Sequence, residues 1–356
     1  MRAAGAIPIG RTNLPDLGLR VHTDSQLHGL TRNPWHPDRT VGGSSGGEGS
    51  ALASGMSPIG LGNDIGGSLR NPAPCCGSAS IKPTSGGIPH ATSRPPEEAS
   101  IAFQFLAVQG VRARRVAAVR LGLGVVAGAH HRDPVSVPAV LTDLAPGQKL
   151  RIAVLAEPPG GTTHPGVAAV IRAAGSALAD QGHHVVEAAP PSYERVVDMW
   201  AHLLSIDLRN QLPLLEMVMG EGGKEFLAAG VNTFPNLTLP EVLADLTERQ
   251  ALQRQWAQWF GEVDALICPV WTQPAFAHGF DISSPEASAE VLSLLRPVMP
   301  ANYLGLPGAV TPGGLADGLP VGVQVVGPAF SDLRCLAIAG QIEAVCGLAT
   351  PIDPLW

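Results

Sequence analysis

The sequence predicts an α/β fold: a mixed central sheet flanked by helices, with a mostly helical cap insertion. Three observations predict it. A strand–helix–strand run between residues 149 and 188 requires parallel strands joined by a crossover helix. Further short apolar runs, at 265–269, 308–311 and 321–326, supply more strands. Residues 190–260 carry apolar side chains at helical spacing and no alternating pattern. The chain has 356 residues, 45% hydrophobic and 15% charged, enough to bury a large core. It shows no internal repeat and no linker longer than a loop, so a single domain over 1–356 is expected, with the cap at 190–260.

Taken in order, Ala3 to Gly10 reads as a buried strand, with Pro8 favouring an edge or a bend. Residues 13–43 are rich in Asn, Pro, Asp, His and Arg without a period, and a loop of that length is often functional. Glu48 to Met56 is helix-compatible, Pro58 to Leu61 reads as a short buried strand, and Gly62 to Ser68 as a Gly-rich loop. Ala102 to Ala129 reads as a strand and then a helix. Lys149 to Glu157 is a strand. Val167, Val170, Ile171, Ala174 and Leu178 share one helical face, and Gly182 follows as a stop signal. His184 to Ala188 returns as a strand. Val242, Leu246, Leu252, Trp256 and Trp259 or Phe260 mark a second amphipathic helix, and Cys335 to Val345 a closing one.

Composition removes several function classes. The formal net charge is -7, which argues against a nucleic-acid partner. Forty-two glycines and 33 prolines interrupt every apolar run before it could span a membrane, and residues 1–9 lack a signal-peptide pattern. The five cysteines form no CxxC pair and read as buried free thiols of a reducing compartment. A cytoplasmic protein is expected. The pairs His130-His131 and His183-His184 are adjacent, a spacing unsuited to shared ligation, and no metal site is expected.

The informative region is Gly42 to Lys82. It holds two Gly/Ser-rich loops, GGSSGGEGS and GNDIGGSLR, separated by a helix-compatible segment and a strand. A serine hydroxyl needs a base to become a nucleophile, and amide hydrolysis needs donors aimed at the developing oxyanion. Consecutive glycines let backbone N–H groups converge on one point. Two such loops around a short helix and strand argue against plain connectors. Gly42-Gly43-Ser44-Ser45-Gly46 matches a G-x-S-x-G elbow, but residues 34–41 form no preceding strand, which removes that reading. Neither loop contains lysine, which removes a phosphate-binding loop.

The run from Gly42 to Lys82 resembles the amidase signature: a GGSSGG-type loop, then a D-x-G-G-S-x-R loop, with the two serines 24 residues apart. Ala3 to Trp35, Leu304 to Gly308 and Gly318 to Gln324 resemble flanking parts of the same family. The resemblance implies an amidase-signature fold and a Ser–cis-Ser–Lys triad. On this sequence Ser68 would be the nucleophile and Ser44 the bridging serine, held by a cis Gly43–Ser44 peptide. The amides of Ile65, Gly66, Gly67 and Ser68 would form the oxyanion hole. Ser45 would orient the bridging serine, while Asp64 and Arg70 would hold the loop. No cofactor is implied; the partner is a small-molecule amide, with no membrane or nucleic acid, and a homodimer is compatible.

The family's lysine lies on a strand upstream of the first loop, yet none of the 43 residues before Ser44 is lysine. Missing N-terminal elements, and impaired amide hydrolysis, are therefore expected. Lys82, Lys149 and Lys224 are poor substitutes: a structural turn, a distant strand and the cap. The alternatives are an amidase-like component of a tRNA-dependent amidotransferase, or a non-catalytic remnant. Phe226, Phe234 and Phe276 are candidates for an apolar acyl pocket, set against plain core packing.

Overall fold

The computed structural model describes residues 1–91, 98–138, 140–347 and 352–354. A two-residue hairpin (β1, Asp24–Ser25; β2, Gly29–Leu30) lies within the irregular N-terminal stretch. Helix α1 (Gly46–Ala53) leads to β3 (Ile59–Asp64), α2 (Pro72–Cys76) and β4 (Ala79–Lys82). Next come α3 (Ile101–Leu106), β5 (Val108–Ala113) and α4 (Val116–Val126). The crossover unit is β6 (Arg151–Val154), α5 (Pro165–Asp180) and β7 (His184–Glu187). Three long helices follow: α6 (Tyr193–Val218), α7 (Glu221–Thr233) and α8 (Leu239–Glu262). The chain continues through β8 (Ala265–Pro269), α9 (Pro285–Leu294), α10 (Met299–Leu304), β9 (Gly308–Ala316), β10 (Leu319–Val326) and α11 (Asp332–Cys346).

Eight strands form one sheet in the order β3-β5-β4-β9-β10-β8-β6-β7. The β8–β6 and β6–β7 pairs are parallel and the others antiparallel, so the sheet is mixed as expected. Helix α5 is the crossover between β6 and β7. Pro165 opens it, and the His164 ring nitrogen accepts the Gly166 N–H. Its apolar face, including Ile171, Ala174 and Leu178, is buried. Gly182 then takes a left-handed φ of 89° and ends the segment. Helices α4, α5 and α11 cover one side of the sheet around Val119, Ile171 and Ile338. The other side packs Tyr193, Trp200, Trp256 and Tyr303 from α6, α8 and α10.

Four local expectations are corrected. Residues 5–10 form no strand, and Ile7 and Ile9 are exposed; Pro8 has no N–H to offer a ladder. The strand expected at 58–61 runs on to Asp64, and it is an edge strand with Leu61 exposed. Its two glycines, Gly60 and Gly62, mask the alternation, and pairing with β5 overrides their low strand preference. A helix, α3, precedes β5 where a strand was expected first. Of the five thiols, Cys75, Cys76, Cys268 and Cys335 are free and buried, while Cys346 is only half-buried. No helix among the described residues is long and apolar enough to cross a membrane.

Candidate active site

The first serine loop is held by backbone contacts from several directions. The Gly43–Ser44 peptide is cis, as the resemblance implied. Thr23 Oγ1 donates to the Gly42 carbonyl at 2.7 Å, and the Gly42 N–H donates to Thr40 Oγ1 at 3.0 Å. Asn71 Nδ2 donates to the Gly43 carbonyl at 3.1 Å, and Arg112 Nη1 to the Ser45 carbonyl at 2.6 Å. The Ser45 hydroxyl makes no hydrogen bond among the described residues, so the orienting role expected of it is not seen; its main chain is the part engaged.

Residues 20–23 brace this loop from outside. Arg20 makes a two-point ion pair with Asp281, at 2.6 and 2.9 Å, and both are buried. His22 Nδ1 lies 2.9 Å from Thr40 Oγ1, the same hydroxyl that receives Gly42. Burial pushes the His22 imidazole from 6.5 down to about 4; Asp281 opposes the shift, while Arg20 and His278 add to it. His22 is thus neutral in the fold but protonated in the unfolded chain below pH 6.5. The unfolded state binds more protons in that window, so stability falls as pH drops from 6.5 towards 4, by about 3 kcal/mol from this group. Denaturant titrations across that range should show the slope, and His22→Asn should flatten it. An unchanged slope in the variant would refute the assignment.

The second loop is organised by Asp64, at the end of β3. Its carboxylate accepts the Gly67 N–H at 2.8 Å and the Leu69 N–H at 3.2 Å. Arg70 pairs with it through Nε at 3.0 Å and Nη2 at 2.9 Å, with both side chains fully buried. Burial alone would raise the Asp64 pKa, but the Arg70 charge and hydrogen bonds outweigh it and hold the carboxyl at about 2. Arg70 Nη1 also donates to the Val298 carbonyl at 2.8 Å and to Gln324 Oε1 at 2.7 Å, and its Nη2 reaches Asn302. The Asp64–Arg70 ion pair thus ties down the Gly67 and Leu69 amides of this segment.

The oxyanion set needs a correction. The Gly67 amide is engaged by Asp64 and is not free for a substrate oxygen. The amides of Ile65, Gly66 and Ser68 make no hydrogen bond among the described residues. Gly67 serves another purpose. Its φ is +93°, and a Cβ there would stand 2.2 Å from Asn71 Oδ1, so only glycine fits.

Ser44 and Ser68 are 5% and 6% exposed, and both border one cavity with Ser45, Glu48 and Asn63. Ser68 also borders a second, apolar cavity with Ile65, Gly66 and side chains of α6 and α7. Phe226 and Phe234 line that second cavity, whereas Phe276 stacks on Trp271 at 5.5 Å and does not. No lysine lines either cavity. Lys82 Nζ is buried against the Pro83 carbonyl at 2.8 Å, Lys149 reaches the Gln181 carbonyl and Lys224 pairs with Glu221.

Sequence reasoning missed Asn71, Arg112, Trp200 and Asn302. Asn71 joins the two loops, donating to the Gly43 and Gly66 carbonyls and accepting from Trp271 Nε1. Asn302 donates to the Asp64 carbonyl and carboxylate. Asn71 adjoins Arg70, which was a usable signal; the others carry none in their own neighbourhoods.

A family model described as Amidase matches residues 1–336. The chain belongs to the amidase signature family. This amidase is 36% identical to an indoleacetamide hydrolase of Bradyrhizobium japonicum, over 98% of the chain and 75% of the relative. It is 31% identical to a glutamyl-tRNA(Gln) amidotransferase component of Salinispora tropica, over 99% of the chain and 77% of the relative. Among solved structures, a 6-aminohexanoate cyclic dimer hydrolase complexed with substrate superposes with a TM-score of 0.83 at 29% identity. That match covers 97% of the amidase chain and 76% of the hydrolase. The eight-stranded mixed sheet flanked by helices matches these amidase signature structures. The protein is thus a hydrolase of the amidase family, whose members act on amides.

Proposed function

We propose that this protein hydrolyses a small-molecule carboxylic amide, in the cytoplasm, through an acyl-enzyme on Ser68. The observation that carries the reading is two buried serine hydroxyls bordering one cavity, beside three unengaged amides at Ile65, Gly66 and Ser68. Ser68 Oγ attacks the carbonyl carbon, and its proton passes by way of Ser44 to the departing nitrogen. The three amides take the oxyanion. The C–N bond then breaks, ammonia or an amine leaves with a proton, and water releases the acid and restores Ser68. The helices of 193–262 act as a cap over this centre. The name of one relative makes indole-3-acetamide the first amide to try.

None of the three lysines lines the serine cavity, which supports the expectation of impaired turnover by the 356-residue chain. A fluorophosphonate probe should label Ser68 slowly and selectively, and Ser68→Ala should abolish the labelling. Release of indole-3-acetic acid should be weak. Labelling at another serine would overturn the nucleophile assignment, and robust Ser68-dependent turnover would overturn the impairment.

A further inference from the structure

The apolar cavity and the oxyanion loop share one side chain, Trp200 of α6. Its indole N–H donates to the Ile65 carbonyl at 2.8 Å. Its ring lies so close to Gly66 that a Cβ there would stand 2.5 Å from Cζ2. Trp200 also lines the cavity, together with Leu204, Leu208, Phe226 and Leu295. One side chain therefore fixes the peptide between Ile65 and Gly66, whose N–H belongs to the unengaged set, and forms a wall of the space next to Ser68.

Ser68 apart, the cavity's polar side chains make hydrogen bonds within the protein. The Arg20 guanidinium is bound to Asp281, and Ser205 Oγ donates to the His202 carbonyl at 3.1 Å. No charge is left to neutralise a charged ligand, and burying one unpaired is costly. On this lining the occupant is uncharged and apolar.

We propose that Trp200 is a positioning residue, which ties the seating of an uncharged, apolar acyl group in this cavity to the placement of the Ile65–Gly66 amide opposite Ser68. The inference rests on the reading of Ser68 as the nucleophile. The indole hydrogen bond sets the tilt of that peptide, and the tilt aims the Gly66 N–H. An acyl group packed against the ring presses it towards Gly66, so an occupied cavity holds the loop in register.

The test compares two fluorophosphonates on the 356-residue chain, one with an aryl-alkyl tail and one with a short alkyl tail, reading the maximal labelling rate and the half-saturating concentration separately. Trp200→Phe keeps a ring and removes the N–H. It should lower the maximal rate about tenfold, the factor for one lost hydrogen bond, and move half-saturation less than twofold. Gly230→Leu adds a side chain where a Cβ meets nothing within 4 Å and where the residue lines the cavity. It should raise the aryl-to-short ratio of half-saturating concentrations at least tenfold. A Trp200→Phe rate within twofold of the parent, or a loss confined to half-saturation, would reduce Trp200 to a plain wall and overturn the proposal. An unlabelled Ser68 in the parent would sink the nucleophile reading and this role with it. Calorimetry on Ser68→Ala then judges the cavity alone: indole-3-acetamide should bind and acetamide should not, and equal binding of a charged aryl ammonium would overturn the uncharged class.

Discussion

Replacing Arg70 with methionine should lower the melting temperature by roughly 5–10 °C, the largest stability loss expected from a single exchange at this site. The variant leaves the Asp64 carboxylate fully buried with its ion-pair partner gone. It also strips the donors from the Val298 carbonyl and Gln324 Oε1. Breaking a buried pair from one side costs about 3–5 kcal/mol, because the remaining charge stays desolvated. The pH dependence should invert. In the parent, Asp64 is held at about 2 against an ordinary 3.8, so its contribution is present above 3.8 and lost as pH falls towards 2. Without Arg70, burial, the largest influence on this group, outweighs the Lys82 charge and the Asn302 hydrogen bond that still oppose it, and the native carboxyl gains proton affinity above the unfolded value. The variant should then become more stable as pH is lowered from 7 towards 4. Thermal melts at several pH values check both claims. A loss under 2 °C with an unchanged pH profile would mean that the pair is not holding the loop.

Gly43→Ala should reduce probe labelling of Ser68 by about a hundredfold, the scale of a 1 Å misplacement in a catalytic set. A methyl there would stand 2.7 Å from both the Arg20 carbonyl oxygen and the Val21 carbonyl carbon. These are main-chain atoms on a segment pinned by the Arg20–Asp281 ion pair, so they cannot swing aside like a flexible side chain. The turn carrying Ser44 must shift instead. Gly124→Ala in α4 is the control, since a Cβ there meets nothing within 4 Å; it should leave labelling intact and be neutral or stabilising. Equal labelling of the Gly43→Ala variant and the parent would show that the position of Ser44 does not matter to Ser68.

The sequence was legible where its pattern is local. Helix α5 announced itself through Val167, Ile171, Ala174 and Leu178 on one face and Gly182 at its end, and β6 and β7 through short apolar runs. The two serine loops stood out because Gly and Ser cluster there in an order that resembles the amidase signature. Legibility failed where partners are distant in sequence. Nothing near residue 200 says that its indole meets residue 65, and nothing near 302 says that its amide meets residue 64. The capture of the Gly67 N–H by Asp64 was hidden for a related reason. The motif gives the order of residues but not which amide a buried carboxylate claims. Leu61 looked like core because its neighbours are apolar, yet β3 lies at the sheet's margin.

Arg70 reaches forward 228 residues to Val298 and 254 to Gln324. During synthesis, then, both serines emerge well before the residues that brace Arg70. Only when Val298 and β10 dock do a main-chain carbonyl and a side-chain amide clasp the guanidinium and brace the segment that carries Ser68. A nascent chain that stops short of β10 would carry both serines and still lack the Gln324 oxygen that takes Arg70 Nη1.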